Sequence, residues 1–199
     1  VRIVAITSAV PEEGKTTTSI CLTRVLAMGG TKVVLVDCDL RRRSANVLLD
    51  DEPELGMIEV LEGKATIDEV LRLDEKSGAY FIPLTKGAHL AKSPFSSVEF
   101  DKFLDDLKAR FDLVILDTPP LLPVVDTRVL AQKVDALALL ARWRSTPMRA
   151  VRAAIHELEA VNAPITGIAL TLVNVKSQAY GGYGYQAYYH RDFKKYYIE

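Results

Sequence analysis

Gly14, Lys15 and Thr16 close the run Ser8-Ala-Val-Pro-Glu-Glu-Gly-Lys-Thr-Thr17, and these residue types can hold a nucleoside triphosphate. Glycine lets backbone N–H groups approach phosphate oxygens, a lysine ammonium fits between the β- and γ-phosphates, and the hydroxyl that follows ligates Mg2+. The run ends as the G-x-x-x-x-G-K-[ST] phosphate loop does, with Ala9 in place of the first glycine. Glu13, Gly14, Lys15, Thr16 and Thr17 are therefore the expected lining of a phosphate site. Gly-Lys-Thr at a helix start also arises by chance, so the reading depends on what converges with it.

Two apolar runs end in carboxylates. Val33-Val-Leu-Val-Asp37-Cys-Asp39-Leu-Arg41 places Asp37 and Asp39 two residues apart, on one side of an extended chain. Val114-Ile-Leu-Asp117-Thr-Pro-Pro120 supplies a third. Ligands of open parallel sheets bind beyond the C-terminal ends of the strands, so all three carboxylates and the loop should share one crevice. Mg2+ takes oxygen ligands and keeps waters, which makes Thr16, Asp37, Asp39 and Asp117 its candidate ligands, directly or through water. Lys15, Asp37 and Asp39 are the candidate catalytic residues, with Asp37 placed to orient or deprotonate an attacking hydroxyl. One aspartate after a strand serves equally as a cap or turn former, whereas three beside a phosphate loop favour the nucleotide reading.

The elements that must position these groups alternate along the chain. Short β-branched runs at 1–6, 32–36, 79–83, 113–116, 135–141 and 165–173 read as strands. Helical patterns fall at 16–28, 56–61, 67–73, 98–110, 126–133 and 147–161, and Phe100, Phe103, Leu104 and Leu107 share one face of the fourth. Continuous apolar strands separated by helices predict an α/β fold with a mostly parallel sheet covered on both faces. With 199 residues and 49% hydrophobic composition, one domain over 1–175 is expected, followed by a flexible tail over 176–199. A net charge of −1 gives no reason to expect a nucleic-acid partner. Cys21 and Cys38 form no metal-ligand spacing and are expected to be buried, reduced thiols. No apolar run reaches the roughly 18 residues of a membrane helix, so the chain reads as soluble, and any membrane segment would lie upstream of Val1.

The tail has its own chemistry. Seven of the eight tyrosines fall there: Tyr180, Tyr183, Tyr185, Tyr188, Tyr189, Tyr196 and Tyr197, interspersed with Gly181, Gly182 and Gly184. Phenols are nucleophiles and glycines let them reach an active site, so these seven are candidate phosphoacceptors. Each phosphate would add about −1.5 to −2 charge, enough for a multiply modified tail to repel itself. A sticky aromatic segment used only for association is the alternative.

The loop, Asp37-x-Asp39-x-Arg41, Asp117-Thr-Pro-Pro120 and a tyrosine-rich end together resemble the bacterial tyrosine kinase (BY-kinase) family of capsule and exopolysaccharide export. The resemblance implies a P-loop NTPase fold, ATP and Mg2+ as cofactors, and autophosphorylation of the tail. It implies other copies of the chain as partners, in ring-like oligomers whose tails feed neighbouring sites. It also implies an inner-membrane polysaccharide co-polymerase segment, fused upstream or separate, a cognate tyrosine phosphatase, and a place at the cytoplasmic face of the inner membrane. The helix that carries the family's oligomerisation motif would precede the first strand. Arg41 matches the motif arginine, and Asn174 stands where related domains place an adenine-contacting asparagine. Trp143 is a candidate cover for the base or a subunit interface, or a packing residue. The family has glycine where this chain has Glu12. Partitioning and division-site ATPases carry a signature lysine at the position of Val10, and a switch ATPase with water as acceptor is the alternative reading.

Overall fold

The computed structural model describes residues 1–42, 44–49, 53–85 and 93–174, so the tyrosines from Tyr180 to Tyr197 lie outside the described residues. Seven strands form one sheet: β1 (Ile3–Ser8), β2 (Val33–Asp37), β3 (Arg72–Asp74), β4 (Ala79–Ile82), β5 (Leu113–Asp117), β6 (Ala136–Arg142) and β7 (Ile165–Thr171). Their order is β3-β4-β2-β5-β1-β6-β7, and only β3 runs antiparallel to its neighbour. The chain leaves the neighbouring strands β1 and β5 in opposite directions across the sheet, toward β2 and β6, the kind of switch point beyond which α/β folds bind ligands.

Helices cover both faces, as the unbroken apolar strands require. On one face α1 (Lys15–Met28) sets Ile20 against Ile6, Leu35, Ile115 and Leu140. On the other, the alternate strand residues Val34, Val36, Val114 and Leu116 meet α3 (Met57–Leu61), α5 (Val98–Arg110) and α7 (Met148–Ala160). The short α2 (Ser44–Leu49), α4 (Ile67–Val70) and α6 (Asp126–Ala131) complete the set. Helix α5 has the bounds its sequence predicts because both ends are marked. Ser97 Oγ accepts the Phe100 N–H at 3.1 Å, Glu99 and Asp101 occupy the first turn, and Lys108 and Arg110 the last.

Two expectations need correction, and one short helix is additional. The helix expected over 67–73 ends at Val70: Thr66 and Glu69 form a capping box that starts it, but Leu71 is extended and Arg72–Asp74 pairs with Ala79–Phe81 as β3. Gly78, at φ 76, makes the turn between those strands. The polar stretch after Asp37 contains α2, a helix without a periodic signal. Cys38 is buried, but Cys21 lies on the solvent side of α1.

Candidate functional site

Strand β1 delivers the chain into the phosphate loop and α1 receives it. Ser8 Oγ donates to the Val10 carbonyl at 2.7 Å, and Gly14, at φ 80, turns the backbone into the first helical bond, Thr18 N–H to Gly14 O at 2.9 Å. Glu12 is also left-handed, at φ 65, where most side chains are strained. Gly14, Lys15, Thr16 and Thr17 line a cleft of about 350 Å³, faced by Asp39 and Pro120. Glu13 does not line it. Its carboxylate, 1% exposed, accepts the Val10 N–H at 2.9 Å, the Arg142 N–H at 3.2 Å and the Thr146 hydroxyl.

The strand ends bring the three aspartates together beneath this cleft. Asp37 and Asp117 are paired in register across β2 and β5, and the Cys38 N–H donates to Asp117 O at 2.9 Å. Asp39 turns its own loop: its Oδ1 accepts the Arg41 and Arg42 N–H groups, each at 3.2 Å, while its N–H donates to Asp37 Oδ1 at 2.9 Å. Asp37 Oδ2 meets no donor in hydrogen-bond geometry, although the Ala45 N–H lies near the carboxylate and steadies its charge. Of the three expected to share the loop's crevice, only Asp39 lines the phosphate cleft; Asp37 lines a second cavity of about 410 Å³ with Leu35, Asn46 and Phe81.

Burial governs the electrostatics. Desolvation, then the charge of Asp117, push the Asp37 carboxyl well above its usual range. Desolvation also lifts Asp117 to about 6, against hydrogen bonds from Thr16 and Ser19 and the charge of Lys15. Burial lowers the Lys15 ammonium, opposed by Asp117, Asp39 and Glu13. The site thus concentrates negative charge around one lysine and leaves a buried carboxylate oxygen without a donor. Among the described residues no group of three His, Cys, Asp or Glu side chains is gathered closely enough to hold a metal ion by itself, so the expected Mg2+ ligands Thr16, Asp37, Asp39 and Asp117 do not form a preassembled cage.

Other expected residues fall at different distances from the cleft. Arg41 contributes a backbone N–H to Asp39 and an exposed side chain, whereas its neighbour Arg42 lines the cleft. Asn174 is exposed beyond the end of β7. Trp143 is half-buried, with the Arg144 guanidinium 4.5 Å over its ring. Ser19 was not legible as a site residue, yet its Oγ lies 3.1 Å from Asp117 Oδ1 and 3.0 Å from the Lys15 carbonyl. Its four-residue spacing from Lys15 on the inner face of α1 was the available signal.

A parallel sheet with a phosphate loop at its switch point, a buried lysine and carboxylates on two neighbouring strands defines a P-loop nucleotide-binding domain. The chain belongs to the AAA domain family, which matches residues 1–162, and within it to the bacterial tyrosine kinases. The kinase domain of VpsO is 32% identical with a TM-score of 0.79, and the likeness covers 87% of this chain and 85% of that one. CpsD of Streptococcus pneumoniae, a tyrosine-protein kinase, is 27% identical over 94% of this chain and 83% of CpsD. ExoP of Rhizobium meliloti, a succinoglycan biosynthesis transport protein, is 28% identical over all of this chain but only 26% of ExoP. The chain spans about a quarter of the length of the first curated relatives it matches. Among the described residues no helix is long and apolar enough to cross a membrane.

Proposed function

We infer that this domain is the catalytic module of a protein-tyrosine autokinase, which transfers the γ-phosphoryl group of ATP to tyrosines of its own C-terminal segment. The observation that carries the reading is the run of seven tyrosines from Tyr180 to Tyr197 in a chain whose phosphate loop bears a buried lysine and whose β2 and β5 end in buried aspartates. Backbone N–H groups of the loop and Lys15 hold the phosphates, and Asp37 accepts the proton of an incoming phenol. Mg2+, when bound, neutralises charge that develops on the phosphates. Thr16, Asp39 and Asp117 would hold it, directly or through water, so the chain would contribute mainly positioning and charge.

The acceptors are Tyr180, Tyr183, Tyr185, Tyr188, Tyr189, Tyr196 and Tyr197, offered in cis or by a neighbouring copy in a ring. A tail so modified would carry several negative charges and leave the crevice, releasing the assembly, and a tyrosine phosphatase would reset it. The whole protein would act at the cytoplasmic face of the inner membrane with a polysaccharide co-polymerase segment, in control of capsule or exopolysaccharide export.

Incubation with Mg-ATP followed by mass-spectrometric mapping tests the reading. Phosphotyrosine in residues 180–197, lost in Lys15→Met, is expected. ATP hydrolysis with no phosphotyrosine would replace the kinase with a switch ATPase, and failure to bind nucleotide would leave only a binding module.

A further inference from the structure

The phosphate loop lacks the first glycine of its pattern and carries Glu12 in a left-handed conformation, so something outside the loop must hold its shape. Glu13 supplies the connection. Its buried carboxylate joins the loop's own Val10 N–H to the turn after β6, through the Arg142 N–H and the Thr146 hydroxyl. That turn is itself closed by the Ser145 and Thr146 N–H groups, which donate to the Arg142 carbonyl at 3.2 and 3.0 Å. A second tie comes from β7. Thr171 Oγ1 donates to the Glu13 carbonyl at 2.7 Å, and its side chain packs 3.7 Å from where a Cβ on Gly14 would stand. The Thr171 carbonyl in turn accepts the Trp143 N–H at 3.1 Å, which makes one continuous network of loop, turn and strand.

We propose that Thr146 and Thr171 are positioning residues of the nucleotide site: acting through Glu13, they clasp the phosphate loop to β6 and β7 and keep its backbone N–H groups directed at the phosphates. Neither residue lines the cleft. Both act on Glu13, Thr146 on its carboxylate and Thr171 on its carbonyl, next to the glycine whose N–H must face the ligand. A hydroxyl lost at either point leaves a buried acceptor with fewer donors, and the loop relaxes toward conformations that bind phosphate poorly. The inference rests on the nucleotide-binding part of the proposed function.

The test uses Thr146→Val, which keeps the volume and removes the hydroxyl, and Thr146→Ser, which restores the hydroxyl alone. The Kd of a fluorescent ATP analogue and the KM for ATP in tail phosphorylation should both rise about 10-fold for Val and return to within about 2-fold for Ser, with kcat changed far less. Thr171→Val should act in the same direction by an independent bond. In a double-mutant cycle, Glu13→Gln and Thr146→Val should be strongly non-additive, because both break the same link. Normal affinity in Thr146→Val, full additivity, or a Ser variant no better than Val would each overturn the proposal. If Thr146→Val folds poorly, the affinity of the Ser and Thr171→Val variants decides on the same terms. Absence of nucleotide binding by the unaltered chain would instead overturn the nucleotide reading beneath it.

Discussion

Asp37 and Asp117 are partners in register on adjacent parallel strands, and each is about 1% exposed. Two carboxylates so placed cannot both be ionised cheaply without a cation between them. Lys15 supplies one from α1, and the burial of all three groups moves each away from its ordinary titration range. The strand ends thus hold two buried carboxyl groups against one buried lysine, and the cost appears as a pH dependence.

The Asp117 carboxyl is raised from 3.8 to about 6, chiefly by burial, so between these values the folded domain keeps a proton that the unfolded chain has released. The stability this group contributes is full below about pH 4, falls through the window, and is lost above about pH 6. Roughly two pH units at about 1.4 kcal/mol each give a loss on the order of 3 kcal/mol. Asp135, held below its ordinary 3.8 by the Arg2 and Ile3 N–H groups, loses its contribution only in more acid solution, so the two windows do not overlap. Urea denaturation of the nucleotide-free domain should therefore give a higher unfolding free energy at pH 4.5 than at pH 7. Asp37, pushed up by burial and by the Asp117 charge, adds a loss of the same sign, so Asp117→Asn should flatten the slope without abolishing it, and an unchanged slope would show that Asp117 does not titrate in this window.

Glu12 is exposed at φ 65, in the left-handed region that favours glycine. A left-handed non-glycine residue costs about 1–2 kcal/mol, and a glycine there gives back about 0.4–1 kcal/mol through the freer unfolded chain. Glu12→Gly should accordingly stabilise the domain by about 0.5–1 kcal/mol in chemical denaturation. A loss of stability would mean that the Glu12 side chain makes a contact worth more than its strain.

Gly56 demands its residue type for a different reason. A Cβ there would stand 2.5 Å from the Pro83 carbonyl oxygen and 3.3 Å from the Leu84 Cα, all backbone that cannot swing aside. The Gly56 N–H donates to Glu59 Oε2 at 2.8 Å, and the Met57 N–H donates to Pro83 O at 2.9 Å, so the clash would prise α3 from the end of β4. Gly56→Ala should cost about 2–3 kcal/mol, read from the denaturation midpoint. A cost under about 0.5 kcal/mol would show that the two segments separate freely.

Much of this architecture was legible because the signals are local. The cap, apolar face and charged ends of α5 lie within its own residues, and the carboxylates that close β2 and β5 could be placed on one edge by sheet topology alone. What escaped depends on partners distant in sequence. Strand β3 is three residues long and exists because Ala79–Phe81 accepts it, and the Glu13 clasp joins residues 129 and 133 positions away. Helix α1 is apolar around much of its circumference, with Val25 and Met28 exposed, so its sequence does not say which face is buried. Cys21, expected inside, falls on the solvent side.

Ser19 offers the most direct test of the carboxylate cluster. Its single hydroxyl proton serves either Asp117 Oδ1, at 3.1 Å, or the Lys15 carbonyl, at 3.0 Å, and the bond to Asp117 favours the ionised form of that acid. Ser19→Ala removes the donor without touching the phosphate cleft, so the Asp117 carboxyl should move further above about 6. Near pH 6.5 less of it is then ionised, and Mg2+-dependent nucleotide affinity should fall about 3- to 10-fold, in line with one charged hydrogen bond shared between two acceptors. At pH 8.5 both forms of the protein are ionised at this position, and the difference should shrink to about 2-fold or less. Titrations of Mg2+ at the two pH values, at fixed nucleotide, make the comparison. An equal loss at both would mean that Ser19 acts by packing α1 against β5, and no loss at either would remove it from the site.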